Sequence, residues 1–150
     1  GKTLDLKTQG SVTMPTGSVL QVVHGRLFDD RTTTTSTSWV GLGSGVSITP
    51  TSTSSKILIM STASIHCLSN VVYLDFSRGS TNNISGALHG IVDQYNRDWG
   101  EMSCSYLDSP NTTSAILYKQ SVKVSGGIAY FNDSSGSATH SSLILMEIAG

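Results

Sequence analysis

The chain has 150 residues, a formal net charge of −1, and charged residues at only 13%, against about a quarter in ordinary soluble domains. That length fits one domain with a real hydrophobic core, and near-neutrality offers no basic stripe to neutralise a phosphate backbone, which excludes nucleic acid as a partner. The longest apolar runs are far too short to cross a bilayer, which excludes membrane insertion.

Taken in chain order, residues 1–18 carry few large apolar side chains and end in a Pro15-Thr16-Gly17 turn signal. They read as a lead-in joining a preceding shaft or domain to the globular part. Leu4 and Leu6 alternate with Asp5 and Lys7 there, which predicts a lone strand that needs outside partners. The opening Gly-Lys-Thr, without Met or an apolar signal region, marks a segment of something longer or a processed product.

Residues 19–150 read as an all-β domain, an antiparallel β-sandwich of jelly-roll character. Ser and Thr supply roughly three residues in ten, a composition that suits strands and turns. Strands are expected at Val19–Phe28, Thr33–Val40, Val46–Thr49, Lys56–Cys67, Val72–Ser77, Glu101–Tyr106, Ile116–Val124, Ile128–Asn132 and Ser142–Ile148. Gly, Pro, Asn, Asp and Ser punctuate the intervals. Val72, Leu74 and Phe76 alternate with Tyr73, Asp75 and Ser77, and the Met102 and Ile116 strands alternate likewise, so each has one wet face. Leu88, Ile91, Val92 and Tyr95 follow a helical spacing, but Gly86 and Gly90 both penalise a helix there.

The last strand differs. Ile144, Met146 and Ile148 share one face, Leu143 and Leu145 the other, and a strand apolar on both faces must be covered on both sides. The same holds at Lys56–Met60, where Leu58 and Met60 oppose Ile57 and Ile59. One sandwich interior covers one set, so another copy of the chain is expected over the other. Leu58, Met60, Leu143 and Leu145, or the opposite face of the final strand, are the candidate subunit contacts.

No chemistry-bearing constellation stands out. Cys67 and Cys104 make no disulfide framework and read as reduced, packed thiols. His24, His66, His89 and His140 fall on different elements, whereas a metal site needs three or four convergent ligands. Asp93, Asp98 and Glu101 cluster in sequence, but glycan cleavage needs two carboxylates flanking the scissile bond. Asp29-Asp30, or Asp108 with Asn111, could supply calcium oxygens, yet both are ordinary turn formers. Neither catalytic residues, nor metal, nor cofactor is expected. The glycosylation-type triplets at Asn83, Asn111 and Asn132 are what so Ser- and Thr-rich a chain produces by chance. DQYNRDWG, from Asp93 to Gly100, is the best binding candidate: Tyr95 and Trp99 for stacking, Asn96, Arg97 and Asp98 for directional hydrogen bonds. The competing reading makes Trp99 a plug at the end of the sandwich or at a subunit seam.

GSVLQVV at Gly17–Val23, VSITPTSTSSKILI at Val46–Ile59, SYLDSPNTTSAILYK at Ser105–Lys119 and the terminal LILMEIAG occur in an order and spacing that matter together. In these motifs the chain resembles a C-terminal β-domain of tail-fibre and other virion structural proteins of marine and cyanobacterial phages. Gly43-Ser44-Gly45, an enlarged turn, and the stretch from Gly79 to Gly100 depart from that pattern. The resemblance implies a virion location, a homotrimer, attachment to other virion proteins through the N-terminal segment, and no catalysis. Its job would be host-surface adhesion to a glycan or protein, or trimerisation. The alternatives are a capsid decoration or head-fibre protein, and a glycan-cleaving tailspike.

Overall fold

The computed structural model describes residues 14–26, 31–132 and 141–150. The anticipated Leu4–Leu6 strand, Asp29-Asp30, His140 and the end of the Val19–Phe28 strand lie outside the described residues. Every regular element among those described is a β-strand: β1 (Val19–Arg26), β2 (Thr32–Thr34), β3 (Val40–Ile48), β4 (Lys56–Arg78), β5 (Val92–Asp108), β6 (Ile116–Val124), β7 (Ala129–Phe131) and β8 (Ser142–Ile148). All pairings are antiparallel.

β4 organises the rest. Along one edge it pairs in turn with β8 (Lys56–Thr62), β7 (Ile65–Cys67) and β6 (Val72–Arg78). Along the other edge β5 accompanies it from Ile57 opposite Asp108 to Leu74 opposite Val92. Farther out, β1 pairs with β8, β2 with β7 and β3 with β6. One layer is therefore β1-β8-β4-β5 and the other β3-β6-β4-β5, and the β4–β5 hairpin belongs to both. It turns the corner through register shifts between Ile65 and Cys67 and between Cys67 and Val71. Bulges bend a strand and sharpen its twist. Ser69 and Asn96 take positive φ values of 62° and 48° at this corner, and the Ser69 N–H donates to Asn96 Oδ1 at 2.9 Å. The sandwich nearly closes into a barrel where β1 meets β3, with Gly25 against Val46; a Cβ at Gly25 would come within 2.5 Å of Val46 Cγ2.

The core lies between the layers. Ile57, Ile59, Leu143 and Leu145 of the first face Val72, Leu74, Phe76, Tyr118 and Val122 of the second, with Ile65, Cys67, Ala129 and Phe131 at the corner. Leu143 and Leu145 were candidate subunit contacts; they are instead fully buried within the chain itself. The period-2 geometry of β8 then leaves Ile144, Met146 and Ile148 as the face open to a partner.

Other expectations change as well. Thr33–Val40 is not one strand: β2 ends at Thr34, where Ser36 N–H bonds to Thr34 Oγ1 and Ser38 N–H to Ser36 Oγ. Such hydroxyl-to-backbone bonds compete with the ladder. Gly43-Ser44-Gly45 is a bulge inside β3, between the Leu42 and Val46 pairings, and not a turn before it. Lys56–Cys67 and Val72–Ser77 are one continuous strand. The helical spacing at Leu88–Tyr95 resolves into a turn followed by β5.

The wet face anticipated for Asp75, Ser77 and Ser121 is buried. Residues 79–91 run over it: Ile84 N–H donates to Phe76 O, Ile91 N–H to Leu74 O, Asn83 N–H to Ser121 Oγ, and the Ser85 N–H and hydroxyl to Asp75. Gly90 permits this approach. Its φ is 74°, and a Cβ there would lie 2.5 Å from Leu74 O and 2.8 Å from Trp39. Gly90→Ala is expected to cost on the order of 2 kcal/mol or more, because it combines the left-handed penalty with a backbone clash. Gly86→Ala, at similar φ but with nothing within 4 Å, should cost only the first part. Denaturant midpoints of the two variants check this; equal shifts would refute the close-approach argument.

At the start of the domain, Gly17 N–H donates to Ala149 O and Ala149 N–H to Ser18 O. The end of the lead-in is thereby fastened to the residue after β8.

Candidate functional site

Two surfaces emerge on the outside of the β4–β5 hairpin. The first is the outer face of the β1-β8-β4-β5 layer. Register places Val22 opposite Met146, Met146 opposite Leu58, and Leu58 opposite Leu107, an apolar row across four strands. The next row runs His24, Ile144, Met60, Ser105. Val22 is 56% exposed and Leu107 47%, unusually open for side chains that adjoin one another on a sheet. Beyond Met60 the side chains shrink to Thr62, Ser103, Ser105 and Ser142, leaving a shallow groove of about 290 Å³ rimmed by Met60 and Ile144. Of the four candidate contact residues, Leu58 and Met60 lie on this face. Met146 belongs to the opposite face of the final strand, the alternative that the sequence offered; Val22 and Leu107, not named in the sequence, join them only through the register.

The second surface lies at the corner. Tyr95 is 68% exposed and Trp99 48%, so Trp99 does not plug the core. Its ring stacks on His66 (centroids 4.9 Å apart, planes 10° apart), and His66 stacks on Tyr130 (5.3 Å, 24°). The Arg31 guanidinium sits 4.1 Å from the centre of the Tyr130 ring. Arg31, Tyr130, His66 and Trp99 thus form one pile from the start of β2 across β7 and β4 to β5. Asp98 Oδ1 lies 3.4 Å from His66 Nε2. Asn96, expected to reach a ligand, uses its side-chain oxygen on Ser69 instead and shapes the bulge. The Arg97 side chain lies outside the described residues. His66 read as a structural or surface histidine; its stacking partners come from other strands, and nothing in its own neighbourhood in sequence signals them.

Polar groups inside the fold are structural. Asp108, a calcium candidate in sequence, accepts from Arg78 Nη1 at 2.9 Å and from the buried Tyr118 hydroxyl at 2.6 Å. Burial, and then the bond to Asp108, push the Tyr118 hydroxyl's pKa upward. Cys67 and Cys104 are both free; burial first, and the Asp75 charge second, raise Cys104 to about 12, which keeps it a thiol at neutral pH. Among the described residues, no three His, Cys, Asp or Glu side chains converge as a metal site. Asp93, Asp98 and Glu101 are exposed along β5.

No family model matches the chain, and no curated protein does. Among solved structures, the crystal structure of the infectious bursal disease virus VP2 subviral particle aligns over 99% of this chain and 42% of that one, at 13% identity and a TM-score of 0.34. The chain spans less than half the length of that structure's chain.

Proposed function

We propose that the chain is a virion structural module, the terminal part of a phage fibre or similar appendage, which assembles as a homotrimer and presents its β4–β5 corner to the host surface. The motif resemblance supplies the virion setting. The observation that carries the assembly role is the apolar row Val22–Met146–Leu58–Leu107. Such a row gains by leaving water at about 25 cal/mol per Å² of apolar surface. Its centre carries no charged side chain that a different, charged partner would pair with, which suits a second copy of the same face region. The small-residue groove beside it offers room for a protruding side chain from that copy.

The activity proposed for this module is binding; among the described residues the exposed carboxylates Asp93, Asp98 and Glu101 follow one another along β5, whereas hydrolysis needs two held across a bond.

Leu58→Glu is expected to convert the assembled form to monomer, since a charge at the centre of an apolar contact is left unpaired when buried. The melting temperature of the monomer should stay close to that of the parent at high dilution, because Leu58 is not part of the core. Light scattering or sedimentation at tens of micromolar reads the mass. A parent chain that stays monomeric under those conditions would overturn the assembly role.

A further inference from the structure

We infer that the outer ring face of Trp99, with Asp98 beside it and Tyr95 farther along β5, is a binding site for a pyranose oligosaccharide. The inference gives a ligand class to the adhesive role proposed above and draws on that reading only for the biological source of the sugar.

The argument begins with which aromatic faces are already used. A second group of rings, Trp39, Tyr73 and His89, lies over β6: Tyr73 and His89 stack at 5.3 Å, and Lys123 sits 4.9 Å from the Trp39 ring and 5.1 Å from Tyr73 while donating to Leu88 O. The chain covers those rings with its own groups. In the corner pile, by contrast, each ring backs the next, and Arg31 closes the Tyr130 end. At the Trp99 end, one face rests on His66 and half of the side chain stays open to solvent. Among the described strands β5 pairs only with β4, so none of them lies beyond that open face.

A ring held in this way loses little freedom when a ligand arrives, and preorganisation of this kind favours binding. A pyranose is the matching shape. Its axial C–H bonds make an apolar face that lies flat on an indole, whose π-face is electron-rich. Its equatorial hydroxyls project from the rim, where a carboxylate can accept two of them. Asp98, whose side chain is 79% exposed, stands next to Trp99 in the chain and is steered by His66. Tyr95 lies four residues away, across the Asn96 bend in β5, so at most about 13 Å off. A second exposed ring beyond Trp99 gives a further sugar unit a surface to rest on, so the site takes an oligosaccharide.

A planar cation or an aromatic peptide side chain could also lie on an indole, but neither calls for an exposed carboxylate and a second aromatic at that distance together. The sugar accounts for all three groups.

The test is an array of defined bacterial surface oligosaccharides probed with the labelled chain, followed by titration of the best binder. Calorimetric titration reads the affinity of every variant, and fluorescence of a Trp39→Phe variant, in which Trp99 is the sole tryptophan, reports whether the parent site itself is occupied. The parent is expected to bind at least one pyranose oligosaccharide, with a shift in Trp99 emission. Trp99→Ala should weaken binding roughly tenfold or more, and Asp98→Asn should weaken it by a smaller factor, both with unchanged melting temperature and assembled mass. Trp99→Phe, which keeps a ring face, should retain part of the affinity. No bound sugar on the array, or equal binding by Trp99→Ala, would overturn the site while leaving the assembly role standing. Attachment of the labelled chain to host cells that survives periodate oxidation of surface glycans would also overturn it, and would assign the surface to a protein partner. A monomeric parent that still bound sugar through Trp99 would remove the assembly role and keep the site.

Discussion

Glu147→Ala is expected to cost about 3 kcal/mol at neutral pH and to flatten the acid branch of the stability curve. Glu147 points inward from β8 and is fully buried. Burial by itself would raise its pKa, but hydrogen bonds from Gln21 Nε2 (2.6 Å), the Thr51 amide (2.7 Å) and the Thr51 hydroxyl (2.7 Å) outweigh it and bring the carboxyl from 4.5 down to about 2. Each unit of such a shift is worth about 1.4 kcal/mol. Because the folded value is the lower one, the stabilisation is complete above the unfolded value of 4.5 and disappears as pH falls toward 2. Urea melts of the parent at pH 7, 4 and 2.5 should show a steep loss that the Ala variant lacks. Parallel curves for the two proteins would mean that the carboxylate is not held as described. The bonds also explain why this residue sits where it does: they tie β1 and the turn after β3 to the end of the last strand.

Leu145→Ala is expected to lower stability by about 2–5 kcal/mol, the range for a buried leucine that leaves a cavity, and to leave the assembled mass unchanged at temperatures where the protein is folded. Leu145 sits between Val23 of β1 and Ile59 of β4 in register and has no exposed surface. Leu58→Glu should do the opposite, changing mass with little effect on the melt. The pair separates the two faces of the same layer. A mass change in Leu145→Ala under folding conditions would place the subunit contact on the face that here lies inside.

Much of the sandwich is legible from the apolar pattern. β6 and β8 occupy the segments that Ile116–Val124 and Ser142–Ile148 mark out, the first because Tyr118, Val122 and Val124 lie opposite Lys119, Ser121 and Lys123, the second because a short run apolar on both faces reads as a covered strand. β4 is harder to read. Leu68-Ser69-Asn70 interrupts the apolar pattern between the Lys56–Cys67 and Val72–Ser77 runs; with β5 alongside, it is a bulge within one strand. The Thr-rich stretch after Arg31 fails in the reverse sense, since β-branched residues suggest a strand while the hydroxyls of Thr34 and Ser36 capture the backbone first. The wet-face assignment for Asp75 and Ser121 fails because a covering segment contributes hydrogen bonds rather than a hydrophobic pattern.

The corner surface shows the same division. Tyr95 and Trp99 are visible as exposed-type aromatics in a short polar stretch. His66, Tyr130 and Arg31 are not, because they reach Trp99 through the register of three strands, and register is a property of pairing that a single strand's residues do not encode.

The place of β8 in the sheet has a consequence for the order in which the molecule can form during synthesis. β8 lies between β1 and β4, and among the described strands β1 has no other hydrogen-bonded neighbour. A nascent chain that has emerged only as far as Asn132 can pair β4 with β5, β6 and β7, but it leaves β1 detached and one side of the core open to water. Completion of the first layer waits for Ser142–Ile148 to leave the ribosome. Until then Val23, Ile57 and Ile59 lack their partner, and the unfinished edge of β4 is a template for strands of neighbouring nascent chains. Chains made side by side on one message would meet at that stage, before the first layer of either is complete.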